Sequence, residues 1–455
     1  MMNPTRDFVI ELQQLMDSNF NEKDFKQVSR CFLDYMAATN AGVYLLNERI
    51  ECMVDMFGSC GIISPIGFDT KVSLETAAFI NGLTSHVAEM DDGVRFGMIH
   101  PGAPIFSALI PAAERFKVKG IDFVKGVIIG YEAAVRLSSA IQPSHYKNGF
   151  HPTATCGSIG ATMGLSAMLG FNYQEMENAL GAISTSAGGS LKVVDDGSEL
   201  KPYNVARAAS QAIQAAVIAK SGFTSPQNVL FGKTGFLEMT ADNLNEDRLQ
   251  NKAPNGLWIN HVYVKPYSAC RHAHPAIEAA LFLHKNQSIT IDEISLIEIT
   301  TYSGLKGRHD RNEVSSIDSA RMSIPFSVAI ALVNGSAGIN DFTKKNLENE
   351  YIRNLAKKIT INECKEYSDR VPEQRPAKIK INLKNKPSLN HEIIYPKGEP
   401  ENPMTDQELE DKFRELSGYG GISDKNIEGF ISHIWFLKDR FDSLQKVVKN
   451  FSFRG

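Results

Sequence analysis

Four short stretches of the sequence combine histidines with acids or cations, the residue types that move protons and bind carboxylates. The first, HVAEMDDGVRFGMIHPGAP, holds His86, Glu89, Asp92 and His100. A helical spacing would place His86 and Glu89 on one helix face, before a glycine-bearing loop that leads to His100. An isolated acidic pair is typical of solvated surface. Several ionisable residues beside a helix that reads as buried favour a site instead.

The second and third stretches each open a helix with a charged or titratable residue. In NGFHPTATCGSIGATMG, His151 precedes a helix that Thr153 or Thr155 could cap, and a helix N-terminus beside a histidine suits an anion. The alternative is a turn with an incidental histidine. In ELKPYNVARAASQ, Lys201 begins a helix that carries Arg207 on its packed face. Lys201 either holds a carboxylate or extends its ammonium group from the helix start into solvent.

The fourth stretch, KPYSACRHAHPAIEA, places Cys270, His272 and His274 at alternate positions. On an extended chain these three would face one way, as ligands of zinc or copper do. The sequence from His274 onward instead predicts a helix with Pro275 in its first turn, and on a helix Cys270 and His272 do not share a face. We therefore expect no metal and no cofactor, with elemental analysis as the test.

The elements that must position these stretches change character along the chain. Up to about residue 265 the pattern predicts helices, several of them rich in Ala, Gly and Ser and apolar on all sides, which is typical of a buried bundle. After that, ISLIEITTYSG and RPAKIKINLKNKPSLNHEIIYPKG alternate apolar and polar residues, which predicts strands with a turn within 385–390. The segment MSIPFSVAIALVNG predicts a helix between them. A capping box, TDQE from Thr405, opens the last helices.

This pattern predicts a mainly α protein with an α+β second domain. We expect residues 1–265 to form the first part of a helical domain and residues 266–400 an α+β lid. Residues 401–455 would return as helices to the first domain. A chain of 455 residues is long enough for two or three such domains.

Composition excludes several classes of protein. Hydrophobic residues make up 43% and charged residues 22%, as in soluble globular proteins, and the net charge of −4 indicates no nucleic-acid or membrane partner. The N-terminal stretch is a poor signal peptide, and no apolar run is long enough to span a membrane. The 6 cysteines form no CxxC pair, which favours reduced thiols and a cytoplasmic location.

Taken in order, HVAEMDDG…HPG, GFHPTATCGSIGA, the Lys-Pro before ARAA, KPYSACRHAH and RMSIPFSVAIALVNG resemble the MmgE/PrpD family over nearly the whole chain. The resemblance implies a helical domain with an α+β lid, usually in a homodimer. It also implies metal-free chemistry at the α-carbon of small di- or tricarboxylates. Known activities are 2-methylcitrate dehydratase, cis-aconitate decarboxylase and iminodisuccinate epimerase.

The site residues implied by the family resemblance can be assigned to positions of this sequence, and four of these positions hold a different residue type. The matching residues are His100, His151, Lys201 and Lys265. The departures are Glu89, where better-studied members have aspartate; Gly93, where they have threonine; Cys270, where the decarboxylases have histidine; and Phe326, where the decarboxylases have tyrosine. The last two put decarboxylation in particular doubt.

These residues predict a lyase or isomerase that transfers a proton α to a carboxylate. His151 and His100 would serve as acid and base, Glu89 as a second acid–base group, and Lys201 as a catalytic cation. Substrate contacts are expected from Lys265, Arg271, Cys270, Asp92, Arg207 and Phe326. A 2-methylcitrate dehydratase-like elimination is favoured. Decarboxylation, epimerisation and a homologue that binds carboxylates without turnover are the alternatives.

Overall fold

The structure is a computed structural model that describes residues 4–194, 198–250, 253, 256–449 and 451. Residues 1–3 and 452–455, at the ends of the predicted helical domain, lie outside the described residues. The described parts of Met1–Lys192, Leu200–Tyr263 and Thr405–Gly455 form one compact unit, here called the helical unit. Those of Val193–Glu199 and Val264–Met404 form a second, here called the sheet unit.

The helical unit begins with a series of helices joined by loops. In chain order they are α1 (Pro4–Met16), α2 (Glu22–Phe57), α3 (Leu74–Val87), α4 (Gly102–Phe116), α5 (Gly120–Ile141), α6 (Ser144–Lys147), α7 (Pro152–Met168), α8 (Tyr173–Ser184), α9 (Lys201–Lys220), α10 (Phe236–Thr240) and α11 (Glu246–Gln250). The long α2 starts at Asn21, whose side chain forms a capping box with Asp24.

Helix α7 is the centre of this unit, and every one of its residues is buried. It packs on α5 through small residues: a Cβ atom at Gly160 would come within 2.5 Å of the Ala134 Cβ and 2.6 Å of the Gly130 carbonyl oxygen. Only glycine allows the two helix backbones to approach this closely. The prediction of a buried bundle of small-residue helices is confirmed.

The sheet unit contains a four-stranded sheet among its described residues. In chain order its elements are α12 (His274–Asn286), β1 (Ile294–Thr301), α13 (Ile317–Met322), α14 (Ile324–Asn334), α15 (Lys344–Leu347), α16 (Glu350–Ala356), β2 (Ile359–Glu363), α17 (Lys365–Ser368), β3 (Ala377–Leu383) and β4 (Leu389–Ile393).

The strand order is β2-β1-β3-β4, with β2 parallel to β1 and the other neighbours antiparallel. Ile297 faces Ile359 on one side and Ile381 on the other, so isoleucines form the middle of the sheet. Buried residues of α12 and α14 complete the same hydrophobic core. The predicted strands and their turn are confirmed, whereas β2 was not predicted.

The chain ends in α18 (Asp406–Tyr419), α19 (Asp424–Ile434) and α20 (Leu437–Lys449), which belong to the helical unit. The predicted capping box is present, with Thr405 and Glu408 bonded reciprocally. Lys412 of α18 lies 2.5 Å from the Asp34 carboxylate and 2.7 Å from the Met90 carbonyl oxygen, all buried. The fold class, mainly α with a smaller α+β part, is therefore confirmed. No helix in the described ranges is long and apolar enough to cross a membrane.

Candidate active site

Three histidines of the helical unit lie close together and are called here the histidine cluster: His86, His100 and His151. The ring centroids of His86 and His100 are 5.2 Å apart, and those of His86 and His151 are 6.4 Å apart. His86 sits in the last turn of α3, His100 in the loop before α4 and His151 directly before α7. Two of the three were predicted as catalytic. His86 was noted only for its spacing.

His86 is paired with a buried carboxylate. Its Nδ1 lies 2.6 Å from Asp91 Oδ2, and neither side chain is more than 2% exposed. Its Nε2 has no hydrogen-bond partner among the described residues. The same Asp91 oxygen lies 3.6 Å from His100 Nδ1, so one carboxylate is close to two imidazoles.

His100 is held in one tautomer by the backbone. Its Nδ1 lies 2.6 Å from the carbonyl oxygen of Asp92. A carbonyl oxygen only accepts, so Nδ1 carries the proton and the lone pair lies on Nε2. The backbone N–H of His100 donates to the Thr153 hydroxyl at 3.1 Å. His100 is thus fixed as an imidazole whose Nε2 can accept a proton.

His151 is held in the opposite tautomer. The Asn204 side-chain nitrogen lies 3.2 Å from His151 Nδ1 and 3.1 Å from the Ser190 carbonyl oxygen. Since that carbonyl needs a donor, the Asn204 amide points its NH₂ this way and donates to Nδ1. The proton of neutral His151 therefore lies on Nε2. Burial lowers its pKa well below the usual value, with further lowering by Lys201, so His151 stays neutral at neutral pH.

Two expectations about these helix ends were wrong. Helix α3 stops at Val87, and Glu89 lies beyond it with a positive φ of 54°, so Glu89 does not share a helix face with His86. Helix α7 is preceded by His151 as its N-cap residue, without a side-chain capping bond. Thr155 contacts the His145 ring instead. Glu89 is buried and has a positive φ although it is not glycine, which is a strained conformation of the kind found at functional sites.

Glu89 is paired with Lys201. The two side chains form a short ion pair, and both residues are buried. Lys201 is the first residue of α9, where its charge opposes the helix dipole. The Glu89 carboxylate offsets that repulsion. Arg207, one turn and a half further along α9, is half-buried.

Asp92 anchors the loop that carries His100. Its Oδ1 accepts the backbone N–H of Gly102 at 3.0 Å, and its Oδ2 accepts the Tyr131 hydroxyl at 2.5 Å. Burial raises the pKa of Asp92 to about 8; Tyr131 opposes the shift, and the charges of Asp34 and Asp91 add to it. Its side chain is therefore engaged in positioning the loop.

Among the predicted residues of the sheet unit, Lys265, Arg271 and Phe326 are buried and Cys270 is half-buried. Lys265 and Phe326 are 0% and 1% exposed, and Phe326 belongs to the hydrophobic core. The Arg271 guanidinium pairs with Glu399, with Nη2 2.7 Å from Oε1. Its Nη1 lies 2.9 Å from His274 Nδ1.

The considered triplet of Cys270, His272 and His274 does not form. His274 Nε2 lies 3.0 Å from the Ala269 carbonyl oxygen, and its other nitrogen contacts Arg271. Cys270 and His272 are instead close to His309, a residue from the loop after β1. Sequence spacing gave no signal for His309. The prediction of a helix from His274, with Pro275 in its first turn, is confirmed.

Comparison with known proteins covers almost the whole chain. The model of the MmgE/PrpD N-terminal domain matches residues 13–247, and that of the MmgE/PrpD C-terminal domain matches residues 267–432. The chain belongs to the MmgE/PrpD family.

Relatives in this family are lyases by name. A cis-aconitate decarboxylase of Homo sapiens is 24% identical over 466 residues, 98% of this chain and 91% of that protein. One from Aspergillus terreus is 25% identical over 418 residues, 86% of this chain and 83% of that protein. A mitochondrial 2-methylcitrate dehydratase of Yarrowia lipolytica is 26% identical over 296 residues, 62% of this chain and 56% of that protein. The chain is an enzyme of the MmgE/PrpD type.

One departure from the family pattern has a structural cause. A Cβ atom at Gly93, where the family resemblance places threonine, would overlap the phenol ring of Tyr263. Gly93 and Tyr263 also exchange backbone hydrogen bonds of 3.1 and 2.8 Å. The Tyr263 ring stands edge-on to His100, with centroids 6.4 Å apart. Sequence reasoning missed Tyr263, although an aromatic residue shortly before KPYSACRH was visible.

Proposed function

We propose that this MmgE/PrpD enzyme is a lyase that transfers a proton at the carbon α to a carboxylate of a small di- or tricarboxylate. Its reaction would be a 2-methylcitrate dehydratase-like elimination of water, carried out by side chains of the helical unit without a metal or organic cofactor. One observation carries the proposal: the two predicted acid–base histidines are held in opposite tautomers.

His100 would be the base. With its proton on Nδ1 and bonded to the Asp92 carbonyl oxygen, its Nε2 presents a lone pair. The nearby Asp91 carboxylate stabilises the imidazolium that forms when Nε2 takes the α-proton. His86, paired with the same carboxylate, is proposed as a positioning residue that keeps Asp91 in place.

His151 would be a neutral hydrogen-bond donor. Its low pKa makes it a weak base, but its Nε2–H can bond to the oxygen on which negative charge develops once the α-proton leaves. Preorganised donors of this kind typically contribute about 10²–10³ in rate. A neutral imidazole costs less to bury than an imidazolium, which agrees with its position at the buried start of α7.

Lys201 would bind a substrate carboxylate and supply the proton that leaves with the hydroxyl group. Its ammonium group is ion-paired with Glu89. After water leaves, the imidazolium of His100 loses its proton to solvent and the neutral amine of Lys201 regains one, which restores the enzyme. The roles expected for Lys265 and Arg271 as carboxylate-binding residues remain proposals based on the family resemblance.

Decarboxylation is the second candidate. The relatives named cis-aconitate decarboxylase align with 86% and 98% of this chain, against 62% for the dehydratase. That reaction needs a proton delivered to carbon rather than to oxygen, a task the Lys201–Glu89 pair could also perform. The change of a family histidine to Cys270 favours elimination.

Proton NMR in D₂O tests the proposal. Wild type, His151→Ala and a control variant, His433→Ala on α19, would be incubated with 2-methylcitrate, citrate, cis-aconitate, malate and iminodisuccinate. We expect alkene signals from one of the hydroxy acids, lowered about 10²–10³-fold in His151→Ala and unchanged in the control. Carbon dioxide release from cis-aconitate alone would favour decarboxylation, and deuterium exchange with inversion would favour epimerisation. Folded wild type without turnover or exchange on any compound would contradict the proposal.

A further inference from the structure

The sheet unit holds a group of soft and borderline metal ligands to which the proposed proton transfers assign no step. One ligand atom each from Cys270, His272 and His309 lies within 4.8 Å of the other two. We call this group the thiol–imidazole cluster. A search of the described residues for three or more His, Cys, Asp or Glu side chains close enough to share one ion finds this group.

The His309 imidazole is oriented as those of metal-binding histidines are, and His272 has a hydrogen-bond partner on one ring nitrogen. His309 Nδ1 lies 2.9 Å from the carbonyl oxygen of Met322, which can only accept, so Nδ1 carries the proton and Nε2 the lone pair. His272 Nδ1 makes a short hydrogen bond with the buried Tyr302 hydroxyl. A hydrogen bond at one ring nitrogen that fixes the other as the ligand is the usual outer-sphere arrangement of metal sites.

One backbone segment holds the cluster together. The Cys270 N–H donates to the Arg321 carbonyl oxygen at 2.8 Å, and the Ile324 N–H donates to that of His309 at the same distance. The cysteine and the histidine are thus tied to neighbouring residues at the junction of α13 and α14. The rings of His272 and His309 are 5.0 Å apart. Such a framework limits the reorganisation needed for binding.

We propose that Cys270, His272 and His309 form a binding site for Zn²⁺ or a similar divalent ion. A thiolate and two imidazoles are the donors that zinc prefers, and three protein ligands leave a fourth position for water or an anion. In tetrahedral zinc centres with bonds of about 2.0–2.3 Å, ligand atoms lie roughly 3.3–3.8 Å apart, so the cluster needs only a small contraction.

Charged residues also lie around the cluster, and they include Arg375, Arg271 and Glu399. The thiolate would neutralise part of the ion's charge, and the adjacent Arg271 is already paired with Glu399. The buried Tyr302 hydroxyl provides the hydrogen bond that holds His272. The test of this site does not depend on activity.

Cobalt binding tests the proposal, since Co²⁺ takes zinc sites and gives a visible spectrum. The full-length protein would be stripped with a chelator and titrated with Co²⁺, then with Zn²⁺. We expect one equivalent of Co²⁺, a thiolate-to-cobalt charge-transfer band in the near ultraviolet, ligand-field bands in the visible and their loss on adding Zn²⁺. Cys270→Ser should abolish the charge-transfer band. Tyr302→Phe should weaken binding about 10–100-fold, as loss of outer-sphere partners does.

Matched variants separate this site from other thiols. Cys364→Ser removes another half-buried thiol of the sheet unit and should leave the spectrum unchanged. His309→Gln should weaken cobalt binding while keeping the circular dichroism spectrum of wild type. The proposal is overturned if the stripped protein shows no charge-transfer band, or if the band persists in Cys270→Ser.

Discussion

The two histidine-containing clusters differ in what surrounds the imidazoles. In the histidine cluster of the helical unit, the Nδ1 partners are a carboxylate, a carbonyl oxygen and an amide NH₂, so both tautomers are present. In the thiol–imidazole cluster the partners are a phenol and a carbonyl oxygen, and a thiol lies beside the rings. Opposite tautomers suit transfer of protons, whereas a thiol close to two imidazoles suits an ion. The partner of the second nitrogen, more than the histidine itself, sets the chemistry.

The largest expected effect is a loss of turnover when the histidine cluster is changed, compared with a small loss when divalent ions are removed. His100→Gln removes the proposed base and should lower turnover of the substrate identified by NMR by about 10²–10⁴-fold, the usual contribution of general base catalysis. Treatment of wild type with a chelator that removes bound divalent ions should lower turnover less than about tenfold, since the proposed proton transfers need no metal. Initial rates under identical buffer conditions measure both.

His433→Gln provides the control for the loss of a histidine outside the cluster, because this residue lies on α19 and bonds only to Ser432 and its own helix in the contacts described. Chelation that removed as much activity as His100→Gln would break the comparison, because the ion would then take part in the proton transfer.

Local patterns predicted the elements well, and tertiary contacts account for what was missed. The capping box at Thr405 and the alternation in β1 and β3 depend on neighbouring residues, so the sequence displays them. Strand β2 was missed although Ile359 and Ile361 alternate with polar residues, and its place in the sheet comes from pairing with the distant β1. The error at Glu89 had a different cause. The prediction that Glu89 and His86 share a helix face required α3 to continue through residue 89, and α3 ends at Val87. Partners such as Asn204, Tyr263 and His309 reach the clusters from distant segments, and no spacing rule finds them.

A second prediction concerns pH and the loop that holds the histidine cluster. Asp92 has a pKa of about 8 in the folded protein and about 3.9 when unfolded, so the folded state binds more protons between these values. Its contribution to stability is present below about pH 4 and is lost as pH rises through 8. The slope is at most about 1.4 kcal/mol per pH unit.

Asp92→Asn should remove this fall, because an amide has no charge to bury. Urea denaturation at pH values from 5 to about 8.5, followed by fluorescence, gives the free energy of unfolding at each pH. Cys270→Ser, in the sheet unit, should keep the wild-type slope. An Asp92→Asn curve parallel to wild type would show that the loop is not anchored by a neutral acid.

The smallest expected effect concerns Gly93, which lies near His100 at a position where the family resemblance places threonine. Gly93→Ala places a methyl group against the Tyr263 ring and should lower the free energy of unfolding by about 1–3 kcal/mol, the typical cost of overpacking. In Gly93→Ala/Tyr263→Leu the ring is gone, so the two changes should destabilise less together than the sum of the single changes. A double-mutant cycle by urea denaturation measures that coupling. Strict additivity would mean that the ring moves aside freely, and Tyr263 would then not be the reason for glycine beside His100.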